Sequence, residues 1–160
     1  MRGHTFRSHL QTSFAKCICT SCEKEDCQLG LDSLSSYSLI IIDADKYREY
    51  CNFKGRLCDY MLFYLEGGTT VGVIELKSGL TKVDVAQRQI RNGSKIAAQV
   101  IGSHKVSNFL PILLHGRRIK RLDILTLRRA KVPFQGKSHY IIVERCGSQL
   151  RRILRQYPAS

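Results

Sequence analysis

The stretch 58–79, CDYMLFYLEGGTTVGVIELKSG, sets the tightest limit on how this chain can fold. Two apolar runs, 61–65 and 71–76, flank Gly67, Gly68, Thr69 and Thr70. Apolar, β-branched and aromatic runs on either side of a glycine-rich turn predict a β-hairpin. Three charged residues interrupt it: Asp59 at its start, Glu75 and Lys77 at its end. A carboxylate or an amine inside a buried strand is costly unless it is paired or holds a metal. These three are therefore the first candidates for chemistry.

Strand geometry tests whether they can meet. Side chains alternate, so Val71, Val73, Glu75 and Lys77 share one face, as do Asp59, Met61, Phe63 and Leu65 on the other strand. A five-residue loop, 66–70, sets Asp59 directly opposite Lys77. Opposed pairs then have Cβ atoms about 5 Å apart and diagonal ones about 7–8 Å. An even-numbered loop turns Asp59 to the other face unless a bulge corrects it.

An Asp, fifteen intervening residues and a Glu-x-Lys triplet, spread over a hairpin and followed by a helix, resembles the PD-(D/E)XK nuclease superfamily. The matching residues are Asp59, Glu75 and Lys77, and Glu75-Leu76-Lys77 is the only acidic-x-Lys triplet in the chain. Cys58, not Pro, precedes Asp59. The resemblance covers residues 38–115. It implies an α/β (α+β) chain of the restriction-endonuclease-like kind, a mixed central sheet flanked by helices, with metal-dependent phosphodiesterase activity.

The chemistry supports the same reading. Phosphodiester hydrolysis needs neutralised charge on the phosphate and an activated water. A hard divalent cation, Mg²⁺ or Mn²⁺, held by oxygen ligands supplies both. Asp59 and Glu75 are the expected ligands, with the backbone carbonyl of Leu76. Lys77 is expected to orient the water or to stabilise developing charge. An ordinary Lys–Glu pair on a surface hairpin is the bland alternative.

Past the hairpin, Ser78 and Gly79 break the strand, and Ser78 or Thr81 is a candidate helix cap. Val83, Ala86, Ile90, Gly93, Ala97, Val100 and Ile101 repeat at helical spacing and predict an amphipathic helix over 82–102. Gln89 borders its apolar stripe, twelve residues after Lys77. In the resembled superfamily a Gln or Lys on this helix points back into the site. Gln87 is the alternative, and a surface glutamine serves equally well.

The N-terminal thirty residues hold Cys17, Cys19, Cys22 and Cys27 at C-x-C-x2-C-x4-C spacing. Four thiolates so close could wrap one Zn²⁺, with His4 or His9 as substitutes. An iron–sulfur cluster, as in some PD-(D/E)XK nucleases, is a second possibility, and small half-buried cysteines a third. The chain thus divides into a Cys-rich segment, 1–30, whose residues 21–30 read as a loop, and a nuclease-like domain, 31–160. Seven cysteines, an odd number, without a signal-peptide pattern point to the reducing cytoplasm rather than a disulfide framework. No run of apolar residues is long enough to span a membrane.

Strands are also expected at 38–43, buried on both faces, and at 108–115, where Pro111 suggests a strand start or an edge. Asp43 and Glu49 could join the site but read better as capping or solvated residues. Leu122 to Leu127 suits helix or strand. Residues 132–134 and 138–143 flank a turn at Gln135-Gly136-Lys137, and 149–157 reads as a short basic helix or tail.

Charge is segregated. Residues 1–80 hold nine Lys/Arg and ten Asp/Glu, a net of −1, whereas 81–160 hold seventeen and three, a net of +14. So lopsided a basic half suits a polyanion. No basic amphipathic helix with bulky apolar anchors argues for a membrane, so nucleic acid is favoured, DNA over RNA. Arg88, Arg91, Lys95, Arg117, Arg118, Lys120, Arg121, Arg128, Arg129 and Lys131 are the expected backbone contacts. A small nuclease of this class would suit anti-phage defence or genome maintenance. It would act as a homodimer if it cuts both strands, or with a partner protein. The rival is a non-catalytic nucleic-acid-binding module with a Zn-stabilised N-terminus. Cys–His catalysis, through Cys58 or Cys146 and His104, His115 or His139, ranks below both.

Overall fold

Six strands hydrogen-bond into one mixed sheet in the order β1-β4-β5-β6-β7-β10. The computed structural model describes residues 3–79 and 82–159. In chain order its elements are α1 (Gly3–Ser13), a 3-10 turn, β1 (Ile18–Cys19), β2 (Cys22–Lys24), β3 (Cys27–Leu29), β4 (Leu39–Asp43), α2 (Ala44–Tyr50), β5 (Tyr60–Tyr64), β6 (Thr70–Lys77) and α3 (Val83–Ile101). Then come β7 (Asn108–His115), α4 (Arg121–Arg129), β8 (Lys131–Phe134), β9 (Lys137–Tyr140), β10 (Ile142–Arg145) and α5 (Leu150–Gln156). β1, β4, β5 and β6 pair antiparallel, while β6, β7 and β10 run parallel. Helix α3 is the crossover between β6 and β7. The strand following it lies beside the hairpin, with Thr70 to Lys77 matched to Asn108 to His115.

Alternation along the strands feeds two cores. Met61, Phe63, Val71 and Val73 pack under α1 and α3, meeting Phe6, Leu10, Ala86, Ile90 and Ala97. Leu62, Ile74, Ile112 and Leu114 face the other way, against Leu29 of the β2–β3 hairpin and Leu150 and Ile153 of α5. Each fully buried aliphatic or aromatic side chain stabilises the fold by roughly 1.5–3 kcal/mol. Gly93 allows α3 to sit close on the sheet. A Cβ there would lie 2.5 Å from Cys58 Sγ and 2.7 Å from Val73 Cγ1.

Several local expectations shift. The 21–30 segment is a hairpin, not a loop: β2 and β3 pair Lys24 with Cys27 across a turn whose Glu25 takes a positive φ of 53°. The first thirty residues are built into the molecule, because β1 extends the central sheet and Phe6 of α1 meets the Phe63 ring edge-on. The 138–143 run divides between β9, which pairs with β8, and β10, which joins the main sheet. The β8–β9 turn uses positive φ at both Gln135 and Gly136, which suits the twist of a two-residue hairpin. Residues 122–127 are helical. Pro111 sits within β7 rather than at its start, and tolerably so, because β10 begins its pairing only at Ile112. Asp43 caps α2, accepting from the Asp45 and Lys46 amides. Ser78 does not cap α3. Its hydroxyl donates to Glu25 at 2.7 Å, and Thr81 lies outside the described residues. Among those residues no helix is long and apolar enough to cross a membrane.

Candidate active site

The hairpin brings the three charged residues together, in a register two residues away from the expected one. The loop spans 65–69, and Tyr60 pairs with Ile74. One step further, Asp59 stands opposite Glu75 instead of Lys77, its amide donating to the Ile74 carbonyl at 2.9 Å. The shift is even, so all three keep the same face. Tyr64 pairing with Thr70 sets it, leaving Leu65 in the loop. The correction brings the two carboxylates closer.

Glu75 is wholly inaccessible to solvent, and neither of its oxygens has a hydrogen-bond partner among the described residues. Lys77 Nζ stands at ion-pair distance, 3.3 Å from Oε1, without the alignment of a hydrogen bond. Burial pushes the Glu75 carboxyl up from 4.5 to about 9, the Asp59 charge adds to the rise, and Lys77 opposes it. Such orphaned, desolvated carboxylate oxygens are rare in folded proteins and call for an explanation.

Asp59 is also buried, and both its oxygens are engaged. Oδ2 accepts the Leu76 amide at 2.7 Å and Oδ1 accepts Lys24 Nζ at 2.8 Å. Leu76, expected to offer its carbonyl, offers its N–H to Asp59. Lys77 Nζ donates to Gln89 Oε1 at 2.9 Å, and Gln89 Nε2 donates to the Leu57 carbonyl at 3.2 Å. Gln89, rather than Gln87, is the helix residue that reaches the site. Gly93, one turn on, seats the helix near enough for that reach. Glu49 is exposed on α2.

Two carboxylates, one with free lone pairs, suit Mg²⁺ or Mn²⁺. Mg²⁺ in particular keeps several waters and is held by one or two carboxylates plus substrate phosphates. No group of three or more His, Cys, Asp or Glu among the described residues could hold a metal ion. The cysteines follow suit. Cys27 is bonded to Cys146, so Cys17, Cys19, Cys22 and Cys27 do not form one four-thiolate cluster. Two backbone links hold the partners together from 119 residues apart, Gly147 N to Gln28 O at 2.8 Å and Cys146 N to His115 O at 2.9 Å. His9 is exposed and bonded to Ser13, and the His4 side chain lies outside the described residues. The disulfide also departs from the expectation of reduced cysteines throughout.

Cys–His catalysis finds no support here. Cys146 is disulfide-bonded. Cys58 is fully buried, and burial, with the Glu75 and Asp59 charges, pushes its thiol well above the ordinary value. A nucleophilic thiol needs the opposite shift.

Beyond Lys77 the ends of β6, β7 and β10 open onto a basic groove. A cleft of about 1050 Å³ is lined by Ser78, His115, Arg117, Arg118 and Arg145, with Glu25 and Asp26 of the β2–β3 turn also on its wall. A second, of about 790 Å³, shares His115 and Arg145 and adds Arg121, Arg128 and Arg152, the last ion-paired to Glu144, which also lines it, at 3.1 Å. Asp59, Glu75 and Lys77 line neither cleft, but the groove begins at the residue after Lys77, and His115 is the β7 partner of Lys77. Arg117, Arg118, Arg121 and Arg128 therefore fall where a polyanion could lie against the site's end. Arg88, Arg91, Lys95, Lys120, Arg129 and Lys131 do not line it, and Arg91 instead donates to the Lys131 carbonyl at 3.4 Å. Lys24, His115 and Arg145 join the site or its groove without having been expected there, while Arg152 comes from the basic helix read at 149–157. The register of β7 against β6 brings in His115, and the parallel β7–β10 pairing brings in Arg145. Neither leaves a local signal in the sequence.

Comparison with family models, with curated proteins and with solved structures returns no match.

Proposed function

We propose that this protein is a metal-dependent nuclease of the restriction-endonuclease-like kind, hydrolysing phosphodiester bonds in DNA with Asp59, Glu75 and Lys77 at its centre. The observation that carries the reading is Glu75. Among the described residues this fully buried carboxyl has no hydrogen-bond partner, and it is set against a second buried carboxylate and 3.3 Å from a lysine. Lys77 offsets only part of the cost of burying this group beside a second carboxylate, since burial and the Asp59 charge still raise its carboxyl to about 9. A divalent cation gives the group a reason.

When bound, Mg²⁺ or Mn²⁺ would neutralise phosphate charge and lower the pKa of a coordinated water. Asp59 and Glu75 would hold it. The Leu76 amide holds one Asp59 oxygen at 2.7 Å, which favours a single orientation of the carboxylate. Lys77 lies between Glu75 and Gln89, and Gln89 is itself braced on the Leu57 carbonyl. That chain fixes the ammonium, where it can orient the attacking water and stabilise charge on the phosphate. Two features support the class: the antiparallel β4–β5–β6 run followed by the α3 crossover to a parallel β7, and the arginine groove starting beside Lys77. Groove arginines contact phosphates, which positions a nucleic acid without reading its sequence.

The groove alone also favours a second reading, a non-catalytic nucleic-acid-binding module. Cleavage of plasmid and linear single-stranded DNA with Mg²⁺ or Mn²⁺ separates the two. Metal-dependent cutting that Glu75→Ala and Lys77→Ala both abolish, with binding retained, is the expected result. Gel shifts without cutting, unchanged by Glu75→Ala, would leave only the binding module.

A further inference from the structure

The β2–β3 hairpin places a lysine where the candidate cation would reach Asp59. Lys24 Nζ is 2.8 Å from Oδ1, and Oδ1 is the one Asp59 oxygen not held by the backbone. The Lys24 side chain is 49% exposed, against 5% for Asp59. It has solvent to swing into, whereas the carboxylate is buried and held by the Leu76 amide. The Lys24 ammonium neutralises Asp59 but does not reach Glu75, whose oxygens have no hydrogen-bond partner among the described residues, so it substitutes for only part of what a divalent ion would supply.

The hairpin carrying Lys24 is fastened on every side. Its predecessor Glu23 accepts the Tyr60 hydroxyl through its carbonyl at 2.6 Å, and its successor Glu25 accepts the Ser78 hydroxyl at 2.7 Å. Directly across the hairpin from Lys24 is Cys27, and Cys27 is the residue bonded to Cys146 at the end of β10. The one covalent crosslink among the described residues thus anchors the register partner of the lysine. Cys27 is fully buried, whereas Cys146 is partly accessible and lines the arginine groove.

We infer that Lys24 is a built-in counterion that competes with the divalent cation for Asp59, and that the Cys27–Cys146 disulfide strengthens the competition by holding the hairpin in place. The inference rests on the metal-site reading above. A reducing dithiol would relax it. One thiolate attacks the Cys146 sulfur and the S–S bond breaks. Cys27 leaves as a thiolate and takes up a proton. The second thiol of the reductant then displaces Cys146 from the mixed disulfide, giving two protein thiols and an oxidised dithiol. The hairpin keeps its hydrogen bonds but loses its covalent tether, and Lys24 yields more readily.

Calorimetric titration of the full chain with Mn²⁺ tests this without relying on activity. Lys24→Met should bind Mn²⁺ about tenfold more tightly than the oxidised wild type, since a neighbouring charge pair at a half-exposed site has an effect of this order. Dithiothreitol should tighten wild-type binding and leave Lys24→Met unchanged, because the disulfide acts through Lys24. A second measurement needs no variant: acylation of Lys24 in the wild type, read by peptide mass, should speed up severalfold when Mg²⁺ is added. Equal Mn²⁺ affinity of wild type and Lys24→Met, with both losing it on Asp59→Asn, overturns the inference and leaves the metal site standing. Unchanged Lys24 acylation overturns it likewise. Mn²⁺ binding that ignores Asp59→Asn in every form overturns the metal site and the inference together.

Discussion

Replacing Glu75 with glutamine removes a group whose titration leaves a signature in stability. In the folded, metal-free chain the Glu75 carboxyl titrates near 9, raised by burial and then by Asp59, against 4.5 as its ordinary value. Between those two pH values the folded state holds a proton that the unfolded state has released. The free energy of unfolding therefore falls as pH rises across that window, by up to about 1.4 kcal/mol per unit. Stability from this group is fully present below pH 4.5 and lost as pH climbs through 9. From pH 5 to pH 7 the loss comes to roughly 2–3 kcal/mol, because the unfolded carboxyl is already mostly ionised at the lower end. For a chain of this length that is roughly 5–10 °C in Tm. Other carboxylates and the net charge of +13 also respond to pH, so the readout is the difference between wild type and Glu75→Gln. Urea unfolding of both, in EDTA at pH 5, 6, 7 and 8, gives it directly. Wild type should lose stability relative to the variant at each step. Parallel curves would mean that Glu75 is ionised in the folded state and that burial does not govern its titration.

The same proton should leave when a cation binds. Mn²⁺ titrations near pH 7, run in buffers of different ionisation enthalpy, should report release of about one proton, and none would contradict a neutral Glu75. Gly93→Ala should cost about 1–3 kcal/mol by pressing a methyl group into Cys58 and Val73. Cys58→Ala should recover part of that loss in a double variant, measured by denaturation. Arg117→Glu with Arg145→Glu should weaken DNA binding and lower the slope of log affinity against log salt by about 0.9 for each phosphate left without its arginine. Arg88→Glu, outside the groove, should change it far less. Gln89→Leu should reduce cleavage by about 10²-fold while leaving DNA affinity intact, because it frees Lys77 without touching the groove.

What could be read in the sequence follows from which interactions are local. The apolar alternation of 61–65 and 71–76 marks the hairpin, and the stripe from Val83 to Ile101 marks α3. Both patterns sit within one element. Face parity is legible too, so Asp59, Glu75 and Lys77 gather on one side as the alternation requires. Register is not: Leu65 could end the strand or begin the loop with little local preference, and an even shift leaves Met61 and Phe63 packed on the same face in either register. The Cys-rich segment misleads because closely spaced thiols look like a metal knuckle, while the true partner of Cys27 lies 119 residues away. Lys24 escapes notice for the same reason. Its contact with Asp59 spans 35 residues and depends on how the β2–β3 hairpin docks. Phe6 and Leu10, spaced one helical turn apart and fully buried, are a legible helical signal at the N-terminus that the charge and cysteine patterns overshadow.

The sheet ends in strands of two residues, β1, and four, β10, while its interior strands run to eight. Edge strands expose unpaired amides and carbonyls, and long flat ones recruit strands from other molecules into aggregates. A two-residue edge offers almost no ladder to extend. The four-residue edge carries Glu144 and Arg145, whose charges discourage an apolar neighbour. The sheet therefore tapers toward both rims. The hydrogen-bonding capacity that holds the hairpin and its charged residues in register is spent inside the molecule, and little remains at its borders to template amyloid-like growth.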